Sequence, residues 1–191
     1  MKLKKQVAVL EHNAGAALTY SDCITVDNKG DKIEESLLRE TGRNLTREDL
    51  ARGKRVPTLT VMFRRKDIED LPVDEFCLCL NGDTFLFAFL GLKGTGEFID
   101  DITKSAYRIH SGGLWTSSNV ITKSNGLIGT FRQIYKTTSP ELKHAVKEEL
   151  RLKHLAKCLV CMRQLKPIQF FKSLIVCVED CGIHSLSLIH I

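Results

Sequence analysis

The sequence has few of the features that identify specialised protein classes. It contains 4 Pro and 13 Gly in 191 residues, without an internal repeat or a Pro- or Gly-rich linker. It has no uncharged apolar run of about 18 residues, the length that a membrane-spanning helix needs. These absences exclude collagen-like and low-complexity chains, and they predict a protein without a spanning helix.

The composition is that of a globular domain, because 43% of the residues are hydrophobic and 27% are charged. A chain of this length buries roughly 70% of the surface that its unfolded form exposes, enough for a core without disulfide bonds. We therefore expect a single domain over residues 1–185. The formal charge of +5 gives a weak and general preference for acidic partners.

Cysteine usage indicates the compartment. Seven Cys, an odd number spread along the chain, favour a reducing environment with free thiols or a metal site. Lys2, Lys4 and Lys5 imitate the start of a signal peptide, but the apolar run Val7–Leu10 ends at Glu11, too early for the hydrophobic region of such a peptide. We predict a cytoplasmic protein.

The last six residues, Leu186–Ile191, resemble a frame translation of the transposase mosaic end used in preparing sequencing libraries. This resemblance implies that the natural reading frame was interrupted near Ser185 and that the protein continues. A native apolar strand is the alternative, since Leu and Ile are common in strands. We expect an adapter-derived tail and assign no role to His190.

Strand-like composition predicts a strand over Lys5–Leu10, and apolar residues in alternation predict two more, over Ala17–Val26 and Thr58–Phe63. After the second of these strands, Asp27–Asp31 is rich in turn-forming residues. A calcium loop is disfavoured there because Lys32 occupies the position where an EF-hand needs Gly. The cluster predicts a solvated turn.

Two Asn-Gly pairs predict hairpins, because both residues accept the positive φ of a tight turn. Asn81-Gly82 joins Phe76–Leu80 to Asp83–Phe89, and both faces of these runs are apolar. This hairpin is therefore expected in the middle of the protein, covered by helices. The second pair, Asn125-Gly126, predicts a further hairpin over residues 120–128.

Helices are predicted over residues 33–40 and 46–52, and the second begins with a near capping box in which Asp49 follows Thr46 by three residues. Apolar residues at helical spacing predict an amphipathic helix over residues 97–109.

A long C-terminal helix is predicted to begin with Ser139 as N-cap and Pro140 at its first position. It runs to Lys166, where Pro167 ends it. Hairpins interleaved with helices indicate an α+β fold: a mainly antiparallel sheet with a buried central hairpin, packed by amphipathic helices. The alternative, a doubly wound α/β fold, is weaker.

Residues that can bind metal concentrate near the C-terminus. Their pattern is His-x3-Cys-x2-Cys, fifteen residues, then Cys-x3-Cys-x2-His, near the spacing of structural zinc sites. A helical wheel places the first three beside cations, which would lower the thiol pKa and favour the thiolate that binds metal or reacts. The candidate zinc ligands are His154, Cys158, Cys161, Cys177, Cys181 and His184.

Two observations favour structural cysteines over a zinc site or a reactive thiol pair. Zinc knuckles commonly carry their Cys pair on a turn, whereas this pair is in mid-helix. Moreover, the segment Leu155–Met162 is apolar nearly all round, which lets its Cys pack as small hydrophobic residues.

Basic residues predict a nucleic-acid-binding surface, because cations along a groove neutralise phosphates irrespective of sequence. They crowd residues 39–66 and form a stripe on the last long helix. Interspersed Glu48 and Asp49 dilute this charge, and solvated helix faces are the commoner outcome. The predicted contacts are Arg43, Arg47, Arg52, Lys54, Arg55, Lys143, Lys147 and Arg151.

Two enzymatic hypotheses are weaker. Gly91–Gly96 lies between a predicted strand and a predicted helix and could bind phosphate at the helix start. Its Gly order matches neither the dinucleotide fingerprint nor the Walker loop, and Glu97 would repel an anion. Asp74, Glu75 and Asp83 could hold a divalent ion, but the Glu-x-Lys expected on the next strand of a nuclease-like site is missing.

The sequence thus favours a non-enzymatic binding module, slightly favouring nucleic acid, with a Cys/His zinc site as a structural clip. The alternative is a metal-dependent nuclease-like hydrolase or a nucleotide-using enzyme.

Overall fold

A computed structural model describes residues 2–39, 43–113 and 117–181, with Cys181 described by its backbone alone. The described chain forms an α+β fold with seven α-helices and two three-stranded sheets. The helices are α1 (Lys2–His12), α2 (Arg47–Ala51), α3 (Val73–Cys77), α4 (Gly82–Leu90), α5 (Val120–Thr137), α6 (Lys143–Arg163) and α7 (Pro167–Cys181). The strands are β1 (Ala16–Tyr20), β2 (Cys23–Val26), β3 (Lys32–Glu34), β4 (Met62–Phe63), β5 (Thr95–Phe98) and β6 (Ser105–Arg108).

Both sheets are mixed, so the expected mainly antiparallel sheet is wrong in detail. The strand orders are β4-β1-β5 and β3-β2-β6. In the first sheet, Leu18 of β1 lies opposite Phe63 of the antiparallel β4 and opposite Gly96 of the parallel β5. In the second, β2 pairs antiparallel with β3 and parallel with β6. The consecutive strands β1 and β2 are therefore the central strands of the two sheets.

The predicted central hairpin is wrong, because residues 76–89 contribute to α3 and α4, and Asn81 precedes the first residue of α4. Helix α4 lies between two apolar clusters and is buried on two sides. An apolar run without a polar face cannot be distinguished from a buried strand by periodicity. Phe85, Ala88 and Phe89 pack into the first cluster, with α5 and α6, and Phe87 and Leu90 into the second, with β1.

The amphipathic helix predicted over residues 97–109 is also wrong. Residues 95–98 and 105–108 form β5 and β6, each pairing with a strand about 80 residues earlier in the chain. Helical spacing of a few apolar residues is a local signal, and long-range pairing overrides it.

Two further strand predictions fall on helices. The hairpin predicted over residues 120–128 is the first half of α5, which Asn119 caps by accepting a hydrogen bond from the backbone N–H of Thr122 at 2.9 Å. Residues 5–10 belong to α1, where Gln6 and Leu10 are buried one helical turn apart.

Local signals with a defined geometry are confirmed. Thr46 Oγ1 accepts from the N–H of Asp49, whose carboxylate accepts from the N–H of Thr46, completing the capping box of α2. Residues 27–31 form the predicted turn, in which Asp27 Oδ1 accepts backbone hydrogen bonds. Residues 33–40, however, do not form the predicted helix over their described part, where β3 is followed by turns.

The predicted strand over residues 58–63 begins as a short 3-10 turn, and only Met62–Phe63 pairs in a sheet. The strand predicted over residues 17–26 is divided into β1 and β2.

The predicted long C-terminal helix is partly matched. Pro140–Leu142 forms a 3-10 turn before α6, and α6 ends at Arg163. Pro167 begins α7 instead of following the last helix, since Pro is tolerated where a helix N–H lacks a partner. Helices α6 and α7 form an antiparallel pair, called here the helical hairpin. Residues 186–191 lie outside the described chain.

None of the described helices combines the length and the apolar character that crossing a bilayer requires.

Candidate functional site

A cleft of about 670 Å³ opens between five separate parts of the chain. This volume lies within the roughly 300–1,000 Å³ of typical ligand sites. One wall is the segment after α2, residues 53–59, and another is the connection between α3 and α4, residues 80–84. Leu37, Phe87 of α4, Tyr107 of β6 and the first half of α5 complete the lining.

The charge of the cleft is mainly positive. Lys54 and Arg55 line it, are exposed, and form no ion pair with a described residue. Among the described lining residues Asp83 is the only carboxylate, and it accepts hydrogen bonds from Thr58 Oγ1 at 2.9 Å and from the N–H of Thr84 at 2.8 Å. The N-terminus of α5 adds the positive end of a helix dipole.

Apolar and polar groups accompany these cations. The side chains of Tyr107, Leu59 and Leu80 are exposed although they are large and apolar in body. Asn81 also lines the cleft, and its Oδ1 is buried without a hydrogen-bond partner in the described structure. The cleft therefore offers positive charge and an aromatic face.

Three predicted nucleic-acid contacts are tied into the fold. Arg43 binds both carboxylate oxygens of Asp49, at 3.0 and 2.9 Å, and this hydrogen bonding lowers the pKa of Asp49 to about 2. Arg52 pairs with Glu48 at 2.9 Å. Arg47 donates to the carbonyl oxygens of Gly91 and Leu92, beyond the end of α4, and pairs with Glu141 at 3.3 Å.

The other predicted stripe lies on α6 and does not line the cleft. Lys143 lies over the ring of Tyr135, 5.5 Å from its centroid. Arg151 pairs with Glu148 at 2.9 Å, one helical turn away. The structure thus brings Lys54 and Arg55, of the eight predicted contacts, to the cleft.

The glycine-rich segment 91–96 does not have the context of a phosphate loop, because it connects the end of α4 to β5. Close backbone approach accounts for its glycines. A Cβ on Gly94 would collide with the carbonyl oxygen of Gly15, and one on Gly91 would lie 3.0 Å from that of Arg47. Glu97 lies within β5 and accepts a hydrogen bond from Thr95 Oγ1.

The carboxylates proposed for a nuclease-like site do not converge on a metal. Glu75 pairs with Lys136 at 2.7 Å, and this hydrogen bond lowers its pKa. Over residues 2–39, 43–113 and 117–181, no group of three or more His, Cys, Asp or Glu is arranged to hold a metal ion.

The predicted cysteine–histidine cluster lies in the seam of the helical hairpin. His154, Cys158 and Cys161 of α6 are buried there, with Cys177 of α7. The expected lowering of the thiol pKa by cations is wrong for Cys158, because burial raises its pKa and the neighbouring Cys177 and Cys161 raise it further. The side chain of Cys181 and all of His184 lie outside the described residues.

His154 connects three helices. Its Nε2 lies 2.7 Å from Oδ2 of Asp180, and Nε of Arg132 on α5 donates to the same oxygen, also at 2.7 Å. Burial lowers the pKa of His154 although Asp180 acts to raise it. The lowered pKa favours the neutral ring. Its Nδ1 is buried without a partner in the described structure.

Tyr107 and Asn81 are not among the residues that the sequence predicts to bind a ligand. No local binding motif marks them, because the cleft joins residues from 37 to 127 that become neighbours only in the folded chain. An isolated tyrosine in a sequence carries no signal of its exposure.

Comparison with known proteins finds no matching family model and no significant similarity to a curated protein or a solved structure.

Proposed function

We propose that this protein is a non-enzymatic binding module that holds single-stranded nucleic acid in its cleft. The observation that carries the proposal is an open cleft in which an exposed tyrosine ring accompanies two exposed cations without ion-pair partners among the described residues. Cations neutralise the phosphate groups of a nucleic acid. An aromatic ring stacks on its bases.

Each lining group has a role in this proposal. Lys54 and Arg55 neutralise phosphates, and the N-terminal end of α5 adds partial positive charge nearby. Tyr107 stacks on a base, a contact that tolerates any sequence because every base has an aromatic face.

The aromatic and apolar lining favours a single strand over a duplex. Base faces are covered by stacking in a duplex and are free in a single strand. Tyr107 and Leu80, at 45% and 60% exposure, present surface suited to such faces.

The test is oligonucleotide binding measured by fluorescence anisotropy at several salt concentrations. Each phosphate contact with a single strand contributes about 0.7 to the slope of log K against log salt. Replacing Lys54 and Arg55 by Ala together is therefore expected to lower that slope by about 1.4 and to weaken binding at low salt. The matched control replaces Lys143 and Lys147 by Ala, which removes the same charge outside the cleft and leaves binding nearly unchanged.

A second pair of variants separates stacking from charge. Tyr107→Ala is expected to cost about 1–3 kcal/mol of binding energy, whereas Tyr107→Phe retains the ring and most of the affinity. Neither variant should change the salt slope. Equal losses in the control and the cleft variants, or no binding by the natural sequence, would contradict the proposal.

The enzymatic alternative has a distinct outcome in the same assay. A metal-dependent hydrolase would shorten the oligonucleotide or cleave a nucleotide, and EDTA would abolish this turnover. Binding that is insensitive to EDTA and leaves the oligonucleotide intact supports the binding module.

The structural zinc predicted from the Cys/His pattern is a separate proposal, although the described candidates His154, Cys158, Cys161 and Cys177 are not arranged as a metal site. It is supported by the buried Nδ1 of His154, because a metal-bound His commonly donates its other ring N–H to a carboxylate, here Asp180. Elemental analysis after purification under reducing conditions tests it, with Cys177→Ser expected to lose the metal and Cys23→Ser to keep it. A reducing, cytoplasmic setting agrees with the absence of a disulfide bond among the six described cysteines.

A further inference from the structure

The helical hairpin carries its apolar side chains on the outside. In α6 the exposed stripe has a spacing of three, four and three residues, and the stripe in α7 repeats this spacing. This is the a and d pattern with which helices pack in coiled coils and helix bundles. The two stripes, together called the apolar face, are Leu152, Leu155, Leu159 and Met162, and Ile168, Phe171, Ile175 and Val178.

Both stripes lie on the same side of the hairpin. At about 100° per residue, the stripe of α6 is centred roughly 115° from its buried residues and the stripe of α7 roughly 160° from its own, both in the direction of increasing residue number. Because the helices are antiparallel, rotations in the same sense turn the two stripes towards one common side. Lys153, Lys157 and Lys172 fall on the opposite side, so the apolar face is free of these charges.

The apolar face is larger than an isolated chain normally exposes. Its eight side chains expose on the order of 800 Å², whereas the largest patch of a typical monomer is about 300–600 Å². Each partner in a stable protein complex buries about 800 Å². The exposed area therefore matches that of one side of an interface.

We propose that the apolar face binds a second copy of this chain, so that two helical hairpins form a four-helix bundle around a two-fold axis. The apolar faces of two chains have identical spacing of their side chains. These side chains can therefore interdigitate as knobs and holes without any change in the helical hairpin. A two-fold interface is self-complementary and is the most common arrangement of homo-oligomers. The area also agrees with that of a stable dimer.

Analytical ultracentrifugation of a dilution series tests this interface. We expect a particle with twice the 21.5 kDa mass of the chain. Replacing Leu159 and Phe171 by Glu together should give monomers, because two buried carboxylates per chain would face the partner's apolar side chains. The matched control replaces Leu3 and Val73, exposed on α1 and α3, by Glu and should remain dimeric.

Circular dichroism shows whether the double variant keeps its helices, and Met162→Gln provides a milder change if it does not. Met162→Gln is expected to raise the dimer dissociation constant roughly tenfold, about 1.4 kcal/mol. A chain that is monomeric at all concentrations, or a dimer that the Leu159 and Phe171 variant leaves intact, would overturn the proposal. Oligonucleotide binding by the cleft is a separate readout, so either proposal can fail alone.

Discussion

The segment 43–59 and the helical hairpin arrange polar and apolar side chains in opposite ways. In the segment, Leu50 and Val56 are buried, and Arg43, Arg47 and Arg52 are engaged with carboxylates and carbonyl groups. In the hairpin, His154 and three thiols are buried while leucines face outward.

This contrast indicates that the groups a region leaves unpaired or exposed show which kind of partner it can bind. The segment contributes Leu50 and Val56 to the second apolar cluster and leaves Lys54 and Arg55 without a carboxylate partner among the described residues, which suits a ligand that carries phosphate. The hairpin pairs His154 with Asp180 inside and leaves apolar surface outside, which suits another apolar surface.

The largest expected difference concerns two phenylalanines. Phe131, on α5 in the first apolar cluster, is 1% exposed, whereas Phe171 of the apolar face is 61% exposed. Phe131→Ala is expected to lower the free energy of unfolding by about 3–5 kcal/mol because it leaves a cavity. Phe171→Ala should change it by less than about 0.5 kcal/mol in dilute, monomeric protein. Urea denaturation of both variants checks the contrast, and equal losses would contradict it.

A smaller effect is expected at the polar contact that joins the hairpin to α5. Asp180→Ala removes the partner of both His154 Nε2 and Arg132 Nε. Because the His154 ring stays buried without that partner, the free energy of unfolding should fall by about 1–3 kcal/mol. The exposed Glu179→Ala, next in sequence, is the control and should have little effect. Urea denaturation at neutral pH measures both.

The two regions should lose stability in different pH windows. The pKa of His154 is lowered from its usual 6.5 by burial, so its contribution is complete above pH 6.5 and is lost as the pH falls through the lowered value. The hydrogen bond from Arg43 lowers the pKa of Asp49 from its usual 3.8 to about 2, so its contribution is complete above pH 3.8 and is lost as the pH falls towards 2.

Unfolding measured against pH distinguishes these windows. His154→Gln should remove part of the loss below pH 6.5 and leave the loss at strongly acidic pH, whereas Asp49→Asn should do the reverse. If His154→Gln leaves the profile below pH 6.5 unchanged, the ring does not titrate as its burial requires.

The smallest of these mutational effects is expected at the cap of α2. Thr46→Ala removes the side chain that accepts from the N–H of Asp49 and should lower the free energy of unfolding by about 1 kcal/mol. Thr46→Ser keeps the hydroxyl and should restore most of this stability. Thermal unfolding monitored by circular dichroism provides the measurement, and equal midpoints for both variants would contradict the role of the cap.

What the sequence predicts correctly is local. The capping box at Thr46 involves residues three positions apart, and the turn at Asp27 forms its own hydrogen bonds. Helix α4 resembles a strand in sequence because it is buried between two clusters and has no polar face. Strands β5 and β6 escape prediction because their partners lie far away in the chain.

The candidate site shows the same limit. Lys54 and Arg55 are recognisable as cations in the sequence. The sequence does not distinguish them from Arg43 or Arg52, which form ion pairs with carboxylates in the folded chain. The alternative of structural cysteines agrees with the burial of Cys158, whereas the expected lowering of its pKa by cations does not hold. Which side of a helix is inside depends on the helix packed against it, here α7.

In the helical hairpin, thiols are buried and apolar side chains are exposed. The most direct test of this arrangement is the rate at which a thiol reagent labels each cysteine of the native protein, followed by mass spectrometry. Cys77 is exposed and should react quickly, and the buried Cys23 provides a protected reference. We predict that Cys158, Cys161 and Cys177 react as slowly as Cys23 until the protein unfolds. Labelling of these three cysteines at the rate of Cys77 would contradict this arrangement of the helical hairpin.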